Sequence, residues 1–295
     1  MTAPVSVVTG SNSGIGRATA LHLAVQGHDV YATMRNLDSA GKLKGMADEA
    51  GVELHLLPMD VANDDSVRDG FAHIIEEAGR LDAIVNNAGV GGNGVTEECT
   101  IELYEDVMNV NLYGALRCIH AALPIMRAQG SGCIVNISSL VGRMCHIGQS
   151  PYYVSKWAME AMSEGLAQEL APFGVRVAII EPGVTKSAIF AKNVDAPNHT
   201  GAYDAHYRRL FQFYSAGIPQ ATPPEEVAAL IHHAITTDQP ALRYACSWGA
   251  QEILSGRAEM SDEDWVALGG HEEDSAYYTD FKRHFGVDIA PAPKT

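Results

Sequence analysis

The sequence has no apolar run close to the roughly 20 residues that a membrane-spanning helix needs. Met1 and Thr2 lead straight into "APVSVVTG", with neither a basic start nor an apolar h-region, so no secretory signal is expected. Basic residues are scarce: 20 Lys and Arg stand against 36 Asp and Glu, a formal charge of −16. That balance disfavours nucleic acid and anionic lipid, both polyanions, and fits a small-molecule partner. Cysteine is sparse too. Cys99, Cys118, Cys133, Cys145 and Cys246 are scattered, odd in number and without a C-x-x-C pair. Free thiols in a reducing compartment are the expectation, and hence a cytoplasmic protein. The histidines form no H-E-x-x-H or comparable ligand spacing, so no structural metal is expected. His232 and His233 are adjacent, point to different sides of a helix, and read as solvated. There is no internal repeat and no Pro/Ser-rich linker.

What is present is an alternation of short branched-apolar runs with longer helical periods. "VSVVTG" (5–10), "DVYATM" (29–34), "VELHLLPMD" (52–60), "LDAIVNNAG" (81–89), "GCIVNISS" (132–139), "VRVAIIEPG" (175–183) and "ALRYACS" (241–247) read as strands. Helices are expected at 14–27, 40–51, 65–79, 100–129 with a break near Val110, 151–173 and 223–236. Strands separated by helices imply right-handed βαβ units: an α/β, Rossmann-type, doubly wound parallel sheet with helices on both faces. Residues 184–222 show no strand and loosen into a mixed aromatic and polar stretch, read as a lid over a ligand. The tail, 247–295, holds ten acidic and four basic residues, yet also Trp248, Trp265, Tyr277, Tyr278, Phe281 and Phe285. Aromatics in that number argue that it packs on the body. One domain, 1–295, with a C-terminal extension is the expectation.

Gly10, Gly14 and Gly16 fall between the first strand and the first helix, in "VVTGSNSGIGRA". A phosphate-binding turn needs a backbone without Cβ and free N–H groups at a helix N-terminus. Further on, "SPYYVSK" (150–156) sets two tyrosines ahead of a lysine. Ser150 is placed to N-cap a helix with Pro151 first. On that helix Tyr152 is offset from Lys156 by about 40° and Tyr153 by about 60°. Either tyrosine can meet the lysine, so the stretch alone leaves both open.

The chain resembles the short-chain dehydrogenase/reductase family. T-G-S-N-S-G-I-G, N-N-A-G at 86–89, S-S at 138–139, Y-x-x-x-K at 152–156 and P-G at 182–183 occur in that family's order and spacing. The resemblance implies an NAD(P)-dependent enzyme acting on alcohols and carbonyls. It picks Ser139 over Ser138, Tyr152 over Tyr153 and Asn111 over Asn109, and adds Lys156. Ser139 would hold the substrate oxygen and Tyr152 would give or take the proton. Lys156 would hold the ribose and, with the positive nicotinamide, lower the tyrosine pKa. Asn111 would hold a relay water at the helix break. It further implies that Gly10, Ser11, Asn12, Ser13, Gly14, Ile15, Gly16, Asn87, Ala88 and Gly89 line the cofactor. Asp60 would meet the adenine amine and Val184 and Thr185 the nicotinamide amide, with Val61, Pro182 and Gly183 also at the cofactor.

The second strand ends at Met34–Arg35, with no carboxylate before Asp38. A carboxylate there would bind the ribose 2′-hydroxyl, whereas an arginine suits a 2′-phosphate, so NADP(H) is favoured over NAD(H). "VYATMRNLDSAGKL", "PALRYACS" and "SAYYTDFKRHFG" are similar to the branch of estradiol 17β-dehydrogenase type 1 and related retinol dehydrogenases. That branch implies a bulky apolar substrate, steroid- or retinoid-like. Met144, Cys145, His146, Gln149 and Phe190 are expected to shape its pocket, with Tyr203, His206 and Tyr207 from the lid. A 3-oxoacyl-thioester or small-carbonyl reductase is the alternative enzyme, and a cofactor-sensing binding protein the alternative of another class. The helix 151–173 and the one before it often pair two subunits in the family, which implies a homodimer or homotetramer.

Overall fold

Buried branched side chains build the sheet. In the computed structural model, which describes residues 2–187 and 196–292, all five residues of β1 (Val5–Thr9) are buried. The other strands are β2 (Asp29–Met34), β3 (His55–Pro58), β4 (Ala83–Asn86), β5 (Gly132–Ile137), β6 (Val175–Pro182) and β7 (Arg243–Cys246). They form one seven-stranded sheet in the order β3-β2-β1-β4-β5-β6-β7, and every pairing is parallel. Parallel strands need crossovers, and the helices that make them cover both faces. Strand order reverses between β1 and β4, which opens a crevice at the carboxyl ends of these strands, where open α/β sheets take ligands.

The crossovers carry α1 (Gly14–Val25), α2 (Gly41–Ala50), α3 (Asp64–Ala78), α4 (Ile101–Met108), α5 (Gly114–Gln129) and α6 (Ser150–Leu170). Asn63 caps α3 by accepting from the Ser66 N–H at 2.8 Å, and Thr100 caps α4 from Leu103 at 3.2 Å. Between α4 and α5 the chain takes a π-helical turn, Asn109–Tyr113, at the predicted break. Ser150 does not cap α6: Gln149 holds that position, and the Ser150 hydroxyl bonds Thr96 and Tyr104 instead.

β3 and β4 fall furthest short of the lengths the sequence suggests. β3 is an edge strand paired only with β2 and half open to solvent, so its ladder ends early. β4 stops at Asn86 because the next residue turns aside to bond the end of β1. The lid segment holds a helix the periodicity had hidden, α7 (Asp204–Gly217), whose Tyr207, Leu210, Phe213, Tyr214 and Gly217 form one buried stripe. After α8 (Pro224–Thr236) and β7, the tail folds into α9 (Ala250–Glu259), α10 (Asp262–Gly269) and α11 (Asp274–Phe285). Ile253, Leu268, Tyr277, Phe281 and Phe285 enter one apolar cluster with Leu210, Phe213 and Met144. Lid and tail therefore share a core. No helix among the described residues is long and apolar enough to cross a membrane.

Candidate active site

The turn after β1 is built around glycine. Gly10 and Gly14 have φ of +67° and +53°, a conformation that side chains strain. Gly16 has no room for a Cβ, which would lie 2.3 Å from Asn87 Nδ2 and 2.5 Å from the Gly10 carbonyl oxygen. Asn87 Nδ2 donates to the Thr9 carbonyl at 2.8 Å, and the backbone N–H groups of Asn87 and Ala88 donate to the Thr9 hydroxyl at 3.0 and 2.9 Å. Thr9 thus holds the two walls of the crevice together; its place at the strand end was the signal for it. Ser11 is turned inward, its hydroxyl donating to Val8. Ser13 ends the turn as the N-cap of α1 without a side-chain cap bond, Asn12 accepts from Arg17, and Ile15 packs under the sheet.

Further along the edge, Arg35, Asp60 and Ser66 line a cavity of about 430 Å³ over the ends of β2 and β3. Asp60 accepts from the Ala62 N–H at 3.0 Å, while Val61 is buried against Gly114. Gly89 is close to Asn111, whose Oδ1 a Cβ would meet at 3.3 Å. Gly183 follows Pro182 and packs against the Trp248 carbonyl. Val184 and Thr185 bridge to Trp248 and Thr222, and the Thr185 hydroxyl bonds Ser247 at 2.7 Å.

Tyr152, not Tyr153, meets both Ser139 and Lys156. The Tyr152 hydroxyl lies near enough to Ser139 for the serine to favour its ionised form, and the Lys156 ammonium sits 5.6 Å from the centre of the Tyr152 ring. Ser139 also bonds the Pro182 carbonyl at 3.3 Å. Tyr153 packs against the lid cluster. Lys156 is buried and donates to the Ile137 carbonyl at 2.7 Å. Burial pushes the Tyr152 pKa up to about 12, against a smaller downward pull from Ser139. Burial likewise brings Lys156 down to about 8, with Glu160 acting the other way.

Asn111 is buried in the π turn with its amide fully engaged. Its Nδ2 donates to the Val90 carbonyl and to Ser155, both at 2.9 Å, and its Oδ1 accepts from Val90 at 2.8 Å. Behind Tyr152 lies a polar cluster not foreseen as a unit: Gln149 donates to the Tyr214 hydroxyl at 2.6 Å, which lies 3.1 Å from Asn93 Oδ1. Met144 and His146 are buried in the lid core, with His146 tilted on Phe213 at 4.6 Å. Cys145 is half-buried beside Trp157. Phe190 lies outside the described residues. Tyr203 and Tyr207 are tied to Glu97 and Glu98 respectively, and His206 stacks edge-on to Tyr203. Another cavity, about 620 Å³ between α7 and α11, is lined by Tyr207, Arg208, Phe211 and Asp274 and by none of Asn111, Ser139, Tyr152 and Lys156. His232 is not simply solvated: it is half-buried, with ring centres 5.5 Å from His22 and 5.7 Å from His28.

The model of the family described as short chain dehydrogenase matches residues 4–198. The 17-beta-hydroxysteroid dehydrogenase type 1 of Mus musculus is 38% identical over 253 residues, covering 81% of this chain and 72% of its own. A short-chain dehydrogenase from Streptomyces avermitilis superposes with a TM-score of 0.80 at 34% identity, covering 92% of this chain and 99% of its own. An alcohol dehydrogenase from Thermococcus sibiricus, solved with 5-hydroxy-NADP, does so with a TM-score of 0.68 at 25% identity, over 83% and 96%.

Proposed function

The chain belongs to the short-chain dehydrogenase family and is a nicotinamide-dependent oxidoreductase acting on CH–OH groups, and we propose that it uses NADP(H) on a bulky apolar alcohol or ketone. The observation that carries the site is the meeting of Tyr152 with Ser139 and Lys156 at the carboxyl edge of the sheet.

When bound, the dinucleotide supplies or accepts the hydride. The turn of Gly10, Gly14 and Gly16 would take its pyrophosphate, and the cavity lined by Arg35 and Asp60 its adenosine end. Ser139 would hold the substrate oxygen by hydrogen bond. Tyr152, whose phenol burial keeps protonated at neutral pH, would donate to the alkoxide as it forms in reduction. Lys156 has N–H donors beyond the one given to Ile137 and would hold the ribose. With its side-chain amide engaged, Asn111 would hold a relay water through its backbone carbonyl.

The substrate class rests on the apolar cluster of Met144, Leu210, Phe213 and Tyr214, which adjoins Tyr152. His146 adds a polar point. A neutral ring donating from Nδ1 to the Ile147 carbonyl, 3.0 Å away, presents Nε2 as an acceptor, and Nε2 has no partner among the described residues. That supports a substrate with a hydroxyl remote from its carbonyl. The test is a panel of steroids, retinoids, acetoacetyl thioesters and small carbonyls with both cofactors. Faster turnover of the thioester than of any steroid or retinoid would reject the substrate class; no turnover at all would reject the catalytic reading.

A further inference from the structure

A buried carboxyl pair stands behind Lys156. Glu160, one helical turn further along α6, is 4% exposed, and Glu181, near the end of β6, is 1% exposed. Both reach the same guanidinium: Arg243 Nε is 3.0 Å from Glu160 Oε2 and 3.6 Å from Glu181 Oε1. One oxygen of each carboxyl, Oε1, has no hydrogen-bond partner among the described residues, and neither has the buried Ser138 hydroxyl. Ser138 and Glu160 converge on Gly142, where a Cβ would lie 2.5 Å from Ser138 Oγ and 3.1 Å from Glu160 Cγ.

We propose that Glu160 is the positioning counter-charge that keeps Lys156 an ammonium, and that Glu181 is the member of the pair that takes up the proton, so that the two carboxyl groups can share one arginine.

Two buried carboxylates beside one guanidinium resist double ionisation, because each desolvated charge repels the other. Arg243 Nε gives its charge-assisted hydrogen bond to Glu160, at 3.0 Å. Glu181 receives only a longer contact from Arg243 and one of 3.7 Å from the more exposed Arg143. Its pKa is accordingly pushed up to about 7, first by burial and then by Glu160. Glu164 occupies the other end of Arg243 at 2.6 Å, and the Cys246 thiol also feels Glu181. Among these groups Glu160 is the one that opposes the burial of Lys156. An ammonium stripped of water and bonded to one carbonyl needs such a charge.

This inference rests on the assignment of Lys156 to the active site, so the test separates the two. Rates of carbonyl reduction by NADPH are followed from pH 5 to 10 for the full chain and for Lys156→Ala, Glu160→Gln and Glu181→Gln, each with a melting temperature. Full turnover by Lys156→Ala would remove the lysine's role itself. With Lys156→Ala inactive, Glu160→Gln is expected to move the alkaline fall in kcat/KM down by about one pH unit or more. Glu160→Asp is expected to recover part of that shift. An unmoved limb with a uniformly lower rate would reduce Glu160 to packing and overturn the proposal.

Glu181→Gln copies the protonated form and decides the matter even where Glu160→Gln does not fold. It should leave the alkaline limb in place. The folded pKa of Glu181 lies above its unfolded value, so the wild type loses stability as pH rises from about 4.5 to about 7 and none beyond. Glu181→Gln should lose that slope. A shifted limb, or an unchanged slope, would show that Glu181 does not take up the proton.

Discussion

Thr9 and Asn87 are joined twice across the crevice, through the Asn87 amide to the Thr9 carbonyl and the Asn87 backbone N–H to the Thr9 hydroxyl, and the Ala88 N–H donates to the same hydroxyl. Thr9→Val keeps the shape and removes the acceptor for both N–H groups. Each orphaned donor costs on the order of 1 kcal/mol or more. Urea unfolding should show a loss of about 2 kcal/mol, and the dinucleotide Kd should rise. Thr9→Ser should restore both.

The two tyrosines of 152–153 are now separable. Tyr152→Phe removes the hydroxyl beside Ser139, while Tyr153→Phe alters a side chain packed against the lid. Tyr152→Phe is expected to lower kcat by at least about a hundredfold, the usual reach of a positioned acid. Tyr153→Phe should stay within about threefold of wild type, within the range of a surface substitution. Equal losses in the two variants would remove the assignment.

Arg35 sits exposed at the mouth of the cavity it shares with Asp60. Arg35→Ala should weaken NADP by about 10- to 100-fold, the worth of a charge-assisted contact, and leave NAD nearly unchanged. Fluorescence titration of both cofactors reads this directly. Tighter binding of NAD than NADP by the wild type would sink the preference.

His146 should make the fold sensitive to acid. Burial lowers its pKa to about 4 in the folded state, against about 6.5 unfolded. The unfolded chain then binds more protons between these values, so stability present above pH 6.5 is lost as pH falls towards 4. The loss is on the order of 3 kcal/mol for this residue. His22, His28 and His232 are lowered too, by burial first and then by one another or by His233, and act in the same direction. In His146→Phe the stability difference between pH 7 and pH 4.5 should shrink, read by thermal melts.

Periodicity and β-branching made the sheet legible because buried parallel strands are nearly continuous apolar runs, as in "VSVVT" and "VRVAII". Their ends were less so, since β4 stops where Asn87 turns to Thr9, a tertiary bond with no local pattern. The lid helix α7 was hidden because its polar face carries Asp204, Arg208 and Gln212 beside a stripe of aromatics. Those aromatics look like a binding loop until the tail covers them. Tyr152 could be chosen in advance only by resemblance, because its partner Ser139 is brought by β5. The pair Glu160 and Glu181 was illegible for the same reason: α6, β6 and β7 meet only in the fold.

The seam between lid and tail turns on Arg209. It is 1% exposed, donates from Nε to Asp274 at 3.0 Å and from Nη2 to the His271 carbonyl at 2.6 Å, and lies 4.6 Å from the centre of the Tyr277 ring. Asp274 has a second partner in Arg208 at 2.9 Å, so removing Arg209 leaves the carboxylate paired but orphans the carbonyl and opens a void. Arg209→Ala is expected to cost about 2–4 kcal/mol in urea unfolding. Arg208→Ala, which removes an exposed pair, should cost under about 1 kcal/mol. α7 also carries Phe213 and Tyr214. The Arg209 variant should therefore raise KM for a bulky substrate more than for a small carbonyl, whereas equal effects on both would mean that the seam holds the fold without shaping the pocket.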